Sequence, residues 1–502
     1  IRDSTNTNTT TFGNIVASYN AATGVLTLTS SGATATIAQW QAAMRAVTWS
    51  DTAVTPNSAT RTISFQVTDG SSNSSPVATR TVTVTAVDQT PIVTTSGGSA
   101  AFTAGDNTAS TPVAVDNGLT LSDLDNTTFA SATVAITGNF HSSEDVLAFT
   151  NNNAAIFGNI VGSYNSATGI LTLSSSGATA TVAQWQAALR AVTWTDFAVT
   201  PNTATRTVGF TVNDGTKNSA VATRQITVTA TDQTPIVTTS GGSVAFTAGD
   251  NTVSTPVVID SAITISDSDN TTLASATVAI TGNFHAAEDV LAFTNTSGAT
   301  FGNIVASYNS GTGVLTLTSS GATATVSQWQ SALRAVTWAD GATTPNTATR
   351  VISITVNDGI KNSAAVTRAI SMSIPVPSVT GITAASDTGS SASDGITRNT
   401  QPTFIGTAQA GSTVTVYVDA VSEGTTTADG SGVWSFTPPG VLSEGSHMVS
   451  AMATLGGVNS VISASASVVI DTTAPAVPTG IALTAATDTG ASASDGGPSN
   501  PQ

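Results

Sequence analysis

A chain of 502 residues is too long for a single hydrophobic core, so several domains are expected. Its 30 acidic residues against 13 basic ones give a net charge of −17, which repels nucleic acid and anionic membrane surfaces and attracts cations. The absence of cysteine excludes disulfides and Cys–zinc chemistry, and no apolar run approaches the ~20 residues that span a bilayer.

Internal repetition organises the chain. Trp40, Trp185 and Trp329 open the phrases WQAAMRAVTW, WQAALRAVTW and WQSALRAVTW, at spacings of 145 and 144 residues. GNIVASYN, GNIVGSYN and GNIVASYN recur in register from Gly13, Gly158 and Gly302, and TPIVTTSGGS begins at both Thr90 and Thr234. Residues 1–89 therefore read as the C-terminal part of one unit, with 90–231 and 232–374 as complete units. An internal fragment of a longer protein is expected, because Ile1 aligns past the middle of the unit.

Within a unit the period is two. In chain order, Val134 and Ile136 share one face of SATVAITG, Val208, Phe210 and Val212 one face of RTVGFTVND, and Ile226 and Val228 one face of RQITVTATD. Turn signals such as SGG, ATG, SSG and NDG punctuate these runs. Together they predict an all-β chain of two-sheet antiparallel sandwiches, roughly eight to ten strands each. One segment departs from the pattern. Thr181 and Gln184 form a capping-box signature, and Val182, Trp185 and Leu189 fall on one helical face. This predicts a short helix with a buried Trp rather than an exposed sugar-stacking platform.

After Ser373-Ile-Pro-Val-Pro377 the pattern changes. ADGSGVWSF predicts a Gly-rich hairpin feeding a strand that carries Trp434 and Phe436 on one face. The phrase ITAASDTGSSASDG from Ile382 restarts as IALTAATDTGASASDG at Ile481, so residues 378–475 form one domain and 476–502 begin another.

The unit, through SDLDN and SDSDN, EDVLAFTN, WQxALRxVTW and Arg-x-(Val/Ile)-x-(Phe/Ile)-x-Val-Asn-Asp-Gly, resembles the cadherin-like repeats of giant bacterial surface proteins. The later part, with SDTGSSASDG, ADGSGVWSF and VVIDTTAPAVP, resembles the bacterial Ig-like domains of large secreted and biofilm-associated adhesins. The resemblance implies tandem β-sandwich modules in an extended rod, located outside the cell or on the bacterial surface.

Acidic side chains cluster in turns. The complete units carry Asp-x-Asp-Asn (Asp123, Asp125; Asp267, Asp269), Glu-Asp (Glu144, Asp145; Glu288, Asp289) and Asn-Asp-Gly (Asp214; Asp358), with Asp88 and Asp232 in the Asp-Gln-Thr-Pro junctions. Calcium takes six to eight oxygen ligands, which carboxylates and carbonyls in turns supply. Turn and cap formation is the competing role of the same residues. The cadherin-like resemblance implies junction calcium, with Asp88 and Asp232 as linker ligands and the two Asp-x-Asp pairs as turn ligands. At the third boundary it implies no such ligand, because the junction Asp is absent. In the Ig-like part, Asp387, Asp394, Asp471, Asp488 and Asp495 occupy the positions at which the resemblance implies calcium.

No nucleophile elbow, phosphate loop or dinucleotide fingerprint occurs, and the three histidines, His141, His285 and His447, form no triad pattern. The expected role is non-enzymatic: a calcium-stiffened stalk segment of a bacterial adhesin, serving cell adhesion or biofilm formation. Its expected partners are the neighbouring modules and a surface glycan or protein, with no nucleic acid and no membrane insertion. The alternatives are a glycan- or protein-binding module and a laterally assembling surface-layer or matrix protein.

Overall fold

The computed structural model describes residues 8–480 apart from Ser72, and two compact units divide the chain between Thr231 and Asp232. In the first unit, residues 90–231 hold eleven strands: β1 (Ile92–Thr94), β2 (Ser99–Thr103), β3 (Val113–Ala114), β4 (Thr120–Ser122), β5 (Ser131–Gly138), β6 (Asp145–Ala148), β7 (Ile160–Asn165), β8 (Ile170–Ser175), β9 (Thr193–Asp196), β10 (Arg206–Asn213) and β11 (Ala222–Thr229). A six-stranded sheet in the order β7-β8-β5-β10-β11-β2 shares one core with a three-stranded sheet, β6-β9-β3, while β1 and β4 pair separately.

The period-two faces become that core. β5 buries Val134 and Ile136, β10 buries Val208, Phe210 and Val212, and β11 buries Ile226 and Val228. Burial of each such side chain contributes about 1.5–3 kcal/mol. Phe102 meets Trp194 edge-on at 4.8 Å, a geometry that places the positive ring edge against a negative face.

Two features differ from the expectation of an all-antiparallel sandwich with one helix. β2 pairs parallel to β11, from Gln225↔Ser99 to Thr229↔Thr103. The first long strand of the repeat and its last run in the same direction, so adjacency at the sheet edge makes them parallel. A one-turn helix, α1 (Ala154–Phe157), also precedes the predicted one, α2 (Val182–Arg190). The cap of α2 is as predicted: Thr181 and Gln184 satisfy each other's backbone N–H groups. Trp185 is fully buried and donates its indole N–H to the Phe129 carbonyl at 3.0 Å.

Residues 8–89 hold two separate hairpins, Ile15–Asn20 with Val25–Ser30 and Arg61–Phe65 with Ala78–Val82. Among the described residues of this stretch no strand corresponds to β5, which in the next repeat lies between β8 and β10. Trp40 is accordingly only half-buried, whereas its counterpart Trp185 has no exposure.

The second unit begins with a copy of the same topology. Its six-stranded sheet runs in the order Ser243–Thr247, Val366–Ser373, Arg350–Asn357, Ser275–Gly282, Val314–Ser319, Ile304–Asn309. There follows a sandwich of Ser378–Ile382, Phe404–Thr407 and Val433–Phe436 against a sheet built on Thr413–Val418 and Gly445–Leu455. Trp434 is buried and Phe436 packs half-buried on the same core. Gly406 lies beneath the Trp434 ring, where a Cβ would stand 2.5 Å from Cζ2.

The boundary without a junction Asp is closed by direct contacts. Asn251, at φ +55°, accepts the Ala410 N–H at 2.9 Å and donates to the Ala408 carbonyl at 3.3 Å. Gln409 donates to the Thr343 carbonyl, and the Thr347 hydroxyl donates to the Gly456 carbonyl at 3.2 Å.

Candidate metal centre

Three short segments converge at the start of each complete repeat. The first is the Asp-Gln-Thr-Pro junction. The second is the Asp-x-Asp-Asn turn, where Asp123 Oδ1 accepts the N–H groups of Asp125 and Asn126 at 3.0 and 3.1 Å, closing an Asx-type turn. The third is the Asn-Asp-Gly loop after β10. Gly215 there holds φ +117°, outside the range of ordinary side-chain-bearing residues, and Asp214 Oδ1 accepts the Thr216 and Lys217 N–H groups, both at 2.7 Å.

Cross-links draw the segments together. Asp125 accepts the Gln89 N–H at 3.0 Å. The Asp88 carboxylate accepts from the Asn126 amide at 3.4 Å and from the Thr216 hydroxyl at 2.5 Å, while the Lys217 ammonium donates to the Asp88 carbonyl. In the second unit, Asp269 accepts the Gln233 N–H at 3.0 Å, Asp267 closes the turn, Asp358 accepts from Ile360 and Lys361, and the Lys361 ammonium donates to the Asp232 carbonyl. Asp88, Asp123, Asp125 and Asp214 thus share one end of the first complete repeat, and Asp232, Asp267, Asp269 and Asp358 the same end of the second.

The electrostatics follow from four acids gathered at one end of each complete repeat. Desolvation and the charges of Asp123 and Asp88 push Asp125 above the usual carboxylate range. Desolvation, then Asp358 and Asp269, push Asp232 up, and desolvation with Asp269 does the same to Asp267. Burial raises Asp214 less than its N–H bonds from Lys217 and Thr216 lower it, so its carboxyl sits below that range. One carboxylate oxygen each of Asp123, Asp214, Asp232, Asp267 and Asp358 is shut off from solvent with no hydrogen-bond partner. Such oxygens suit a hard cation that takes oxygen ligands. The acids do not form a closed cage: among the described residues, no group of three or more His, Asp or Glu side chains is positioned to hold a metal ion as it stands.

The Glu-Asp pairs stand elsewhere, around a guanidinium. Arg206, with no solvent exposure, donates its Nε–H to Asp145 at 3.0 Å, contacts Asp196 at 3.3 Å and Glu144 at 3.7 Å, and lies over Trp194 with 5.8 Å to the ring centroid. Arg350 repeats this with Asp289, Asp340, Glu288 and Trp338. The positive charge beside Glu144, Asp145, Glu288 and Asp289 is therefore an arginine of the chain, where the sequence grouped these acids with metal ligands. Burial outweighs the His141 N–H and Arg206 and raises Asp145, and burial likewise raises Asp196. Asp196 and Arg206 escaped sequence reasoning, although an Arg opens the same strand phrase in every copy, at Arg61, Arg206 and Arg350.

In the Ig-like part the acids are dispersed among turns. Asp394 and Asp471 each accept the N–H two residues on, as turn formers do. Asp387 is buried, with one oxygen accepting the Gly395 N–H at 3.1 Å and the other without a partner. Asp488 and Asp495 lie outside the described residues. His141 and His285 point Nδ1 at a loop carbonyl two residues back, and His447 is held by Asp419 at 2.7 Å and the Ser443 carbonyl at 2.9 Å. Among the described residues no helix is long and apolar enough to cross a membrane.

Residues 373–472 match the bacterial Ig-like domain family. A stretch of 125 residues, 25% of this chain, is 38% identical to halomucin of Haloquadratum walsbyi, of which it spans 1%. Among solved structures, the human desmocollin-1 ectodomain aligns over 82% of this chain and 64% of its own, at 11% identity and a TM-score of 0.22. The BSP domain of a biofilm-associated protein aligns over 77% and 66%, at 11% identity and a TM-score of 0.17.

Proposed function

From a chain of tandem β-sandwich repeats that carries a bacterial Ig-like domain, we propose a non-enzymatic structural segment of a large bacterial surface adhesin, acting outside the cell as a spacer whose repeat junctions are stiffened by calcium. The observation that carries this reading is the set of solvent-shielded carboxylate oxygens without partners at the head of each complete repeat. The halomucin match is in keeping with a very long host protein, since 125 residues amount to 1% of it.

Asp88, Asp123, Asp125 and Asp214 would hold one calcium site, and Asp232, Asp267, Asp269 and Asp358 the other. When bound, the ion supplies positive charge where four carboxylates repel one another. The chain's own groups pre-aim the linker: the Gln89 and Gln233 N–H groups bond to the Asp-x-Asp turn, and the lysines grip the linker carbonyls. With the linker fixed on the repeat that follows it, fewer backbone angles at the junction remain free to bend.

The test is thermal melting of the full chain in excess calcium and then in chelator. A ligand at a hundredfold excess over its Kd stabilises by about 2.7 kcal/mol, so calcium is expected to raise the melting temperature. Asp267→Ala with Asp269→Ala should abolish the rise for the second complete repeat. Identical melting with and without calcium would reduce the acids to turn formers.

A further inference from the structure

The two junctions are copies in sequence but not in their hydrogen bonding. The Asn-Asp-Gly loop reads NDGTKN in the first complete repeat and NDGIKN in the second, so Thr216 stands where the other copy has Ile360. The Thr216 hydroxyl lies 2.5 Å from Asp88 Oδ2 and 3.0 Å from Asp214 Oδ1, and its single proton serves one of them at a time. With the Asn126 amide on Oδ1, both oxygens of Asp88 have donors. Ile360 has no donor to offer and is 76% exposed. Its linker acid, Asp232, keeps one oxygen shielded from solvent and unpartnered, alongside one oxygen each of Asp267 and Asp358. Three such oxygens face the second junction and two, from Asp123 and Asp214, the first.

We infer that residue 216 and its counterpart 360 set the divalent-cation affinity of the junctions, and that the Ile360 junction binds calcium more tightly than the Thr216 junction. This inference rests on the calcium reading above. A carboxylate oxygen already stripped of water and lacking a donor gives up nothing when a cation arrives. Asp88 must first release the Thr216 hydroxyl, and loss of a charge-assisted hydrogen bond corresponds to about a tenfold loss of affinity. Lys217 and Lys361 each donate to the carbonyl of their own linker Asp.

Amide exchange read by mass spectrometry on the full chain, as a function of free calcium, separates the two sites. Peptides covering residues 86–94 and 230–238 report the first and second linkers. Protection of the second linker should reach its midpoint at about tenfold lower calcium than the first. Thr216→Ile should move the first midpoint down to the second, and Ile360→Thr should move the second up. Both positions are exposed, so the fold should survive either change. Equal midpoints, or midpoints that ignore the exchange of Thr and Ile, would overturn the inference while leaving calcium binding intact. Absence of calcium-dependent protection at either linker would overturn both.

Discussion

Replacing Arg350 by Met gives the sharpest test of what holds a repeat together. The guanidinium is wholly buried, as are Asp289 and Asp340, with Glu288 at 3.6 Å. Besides the carboxylates it donates to the Asn346 and Ala348 carbonyls at 3.1 and 2.6 Å. Met fills much of the same volume but leaves two buried acids without counter-charge, which costs about 3–5 kcal/mol in comparable buried pairs. A repeat of this size loses roughly 2–4 °C of melting temperature per kcal/mol, so a fall of roughly 6–20 °C is expected. Calorimetry of the full chain, with amide exchange at Ser275–Gly282 and Arg350–Asn357 to localise the loss, reads this directly. The deficit should shrink on acidification, because the abandoned acids become neutral. A variant within about 1 kcal/mol of the parent at neutral pH would refute the view that the arginine is the repeat's internal counter-ion.

Two further outcomes follow from the same geometry. Asp145, Asp196, Asp289 and Asp340 have raised carboxyls, burial being the first cause in each. They therefore bind protons more readily folded than unfolded, and stability from these groups should rise as pH falls through their folded values and level off near the ordinary value. Asp116 and Asp260 act oppositely: N–H and hydroxyl bonds from Ser96 and Ser240 hold them low against burial, so their contribution is lost in strong acid. Urea melts from pH 7 downward should thus pass through a maximum on the acid side, and a monotonic fall from neutrality would contradict the assignment. At the third boundary, Asn251→Ala removes two hydrogen bonds to the Ig-like domain, about 1–3 kcal/mol. Exchange at Ala408–Ala410 should accelerate equally in calcium and in chelator, and rescue by calcium would show that this joint also depends on an ion.

What the sequence makes legible is whatever its local period encodes. Val208, Phe210 and Val212 declare the inward face of their strand because side chains alternate every residue. Thr181 and Gln184 announce a helix start because the cap needs them three residues apart. Acids in turns are equally conspicuous, but Glu144-Asp145 looks the same whether its counter-ion is a metal or an arginine 61 residues away. Nor does local sequence say which carboxylate oxygens will find donors, since the Thr216 hydroxyl reaches Asp88 across 128 residues. The Asn251 contacts and the parallel β2–β11 pair are hidden for the same reason: they depend on where the chain travels, not on what flanks them.

The parallel pair has a mechanical consequence. In residues 90–231 the chain enters the large sheet through Ser99–Thr103 and leaves it through Ala222–Thr229, side by side and pointing the same way. Tension applied through the two ends pulls these strands past one another lengthwise. All five paired positions then carry strain at once, with the Ala104 N–H on the Thr229 carbonyl and the Thr231 hydroxyl on the Ala104 carbonyl extending the row. An antiparallel exit strand in that place would peel open one bond after another. The edge that closes the sheet is thus also its fastening under traction, and Ser243–Thr247 against Val366–Ser373 gives the next repeat the same shear-loaded seam.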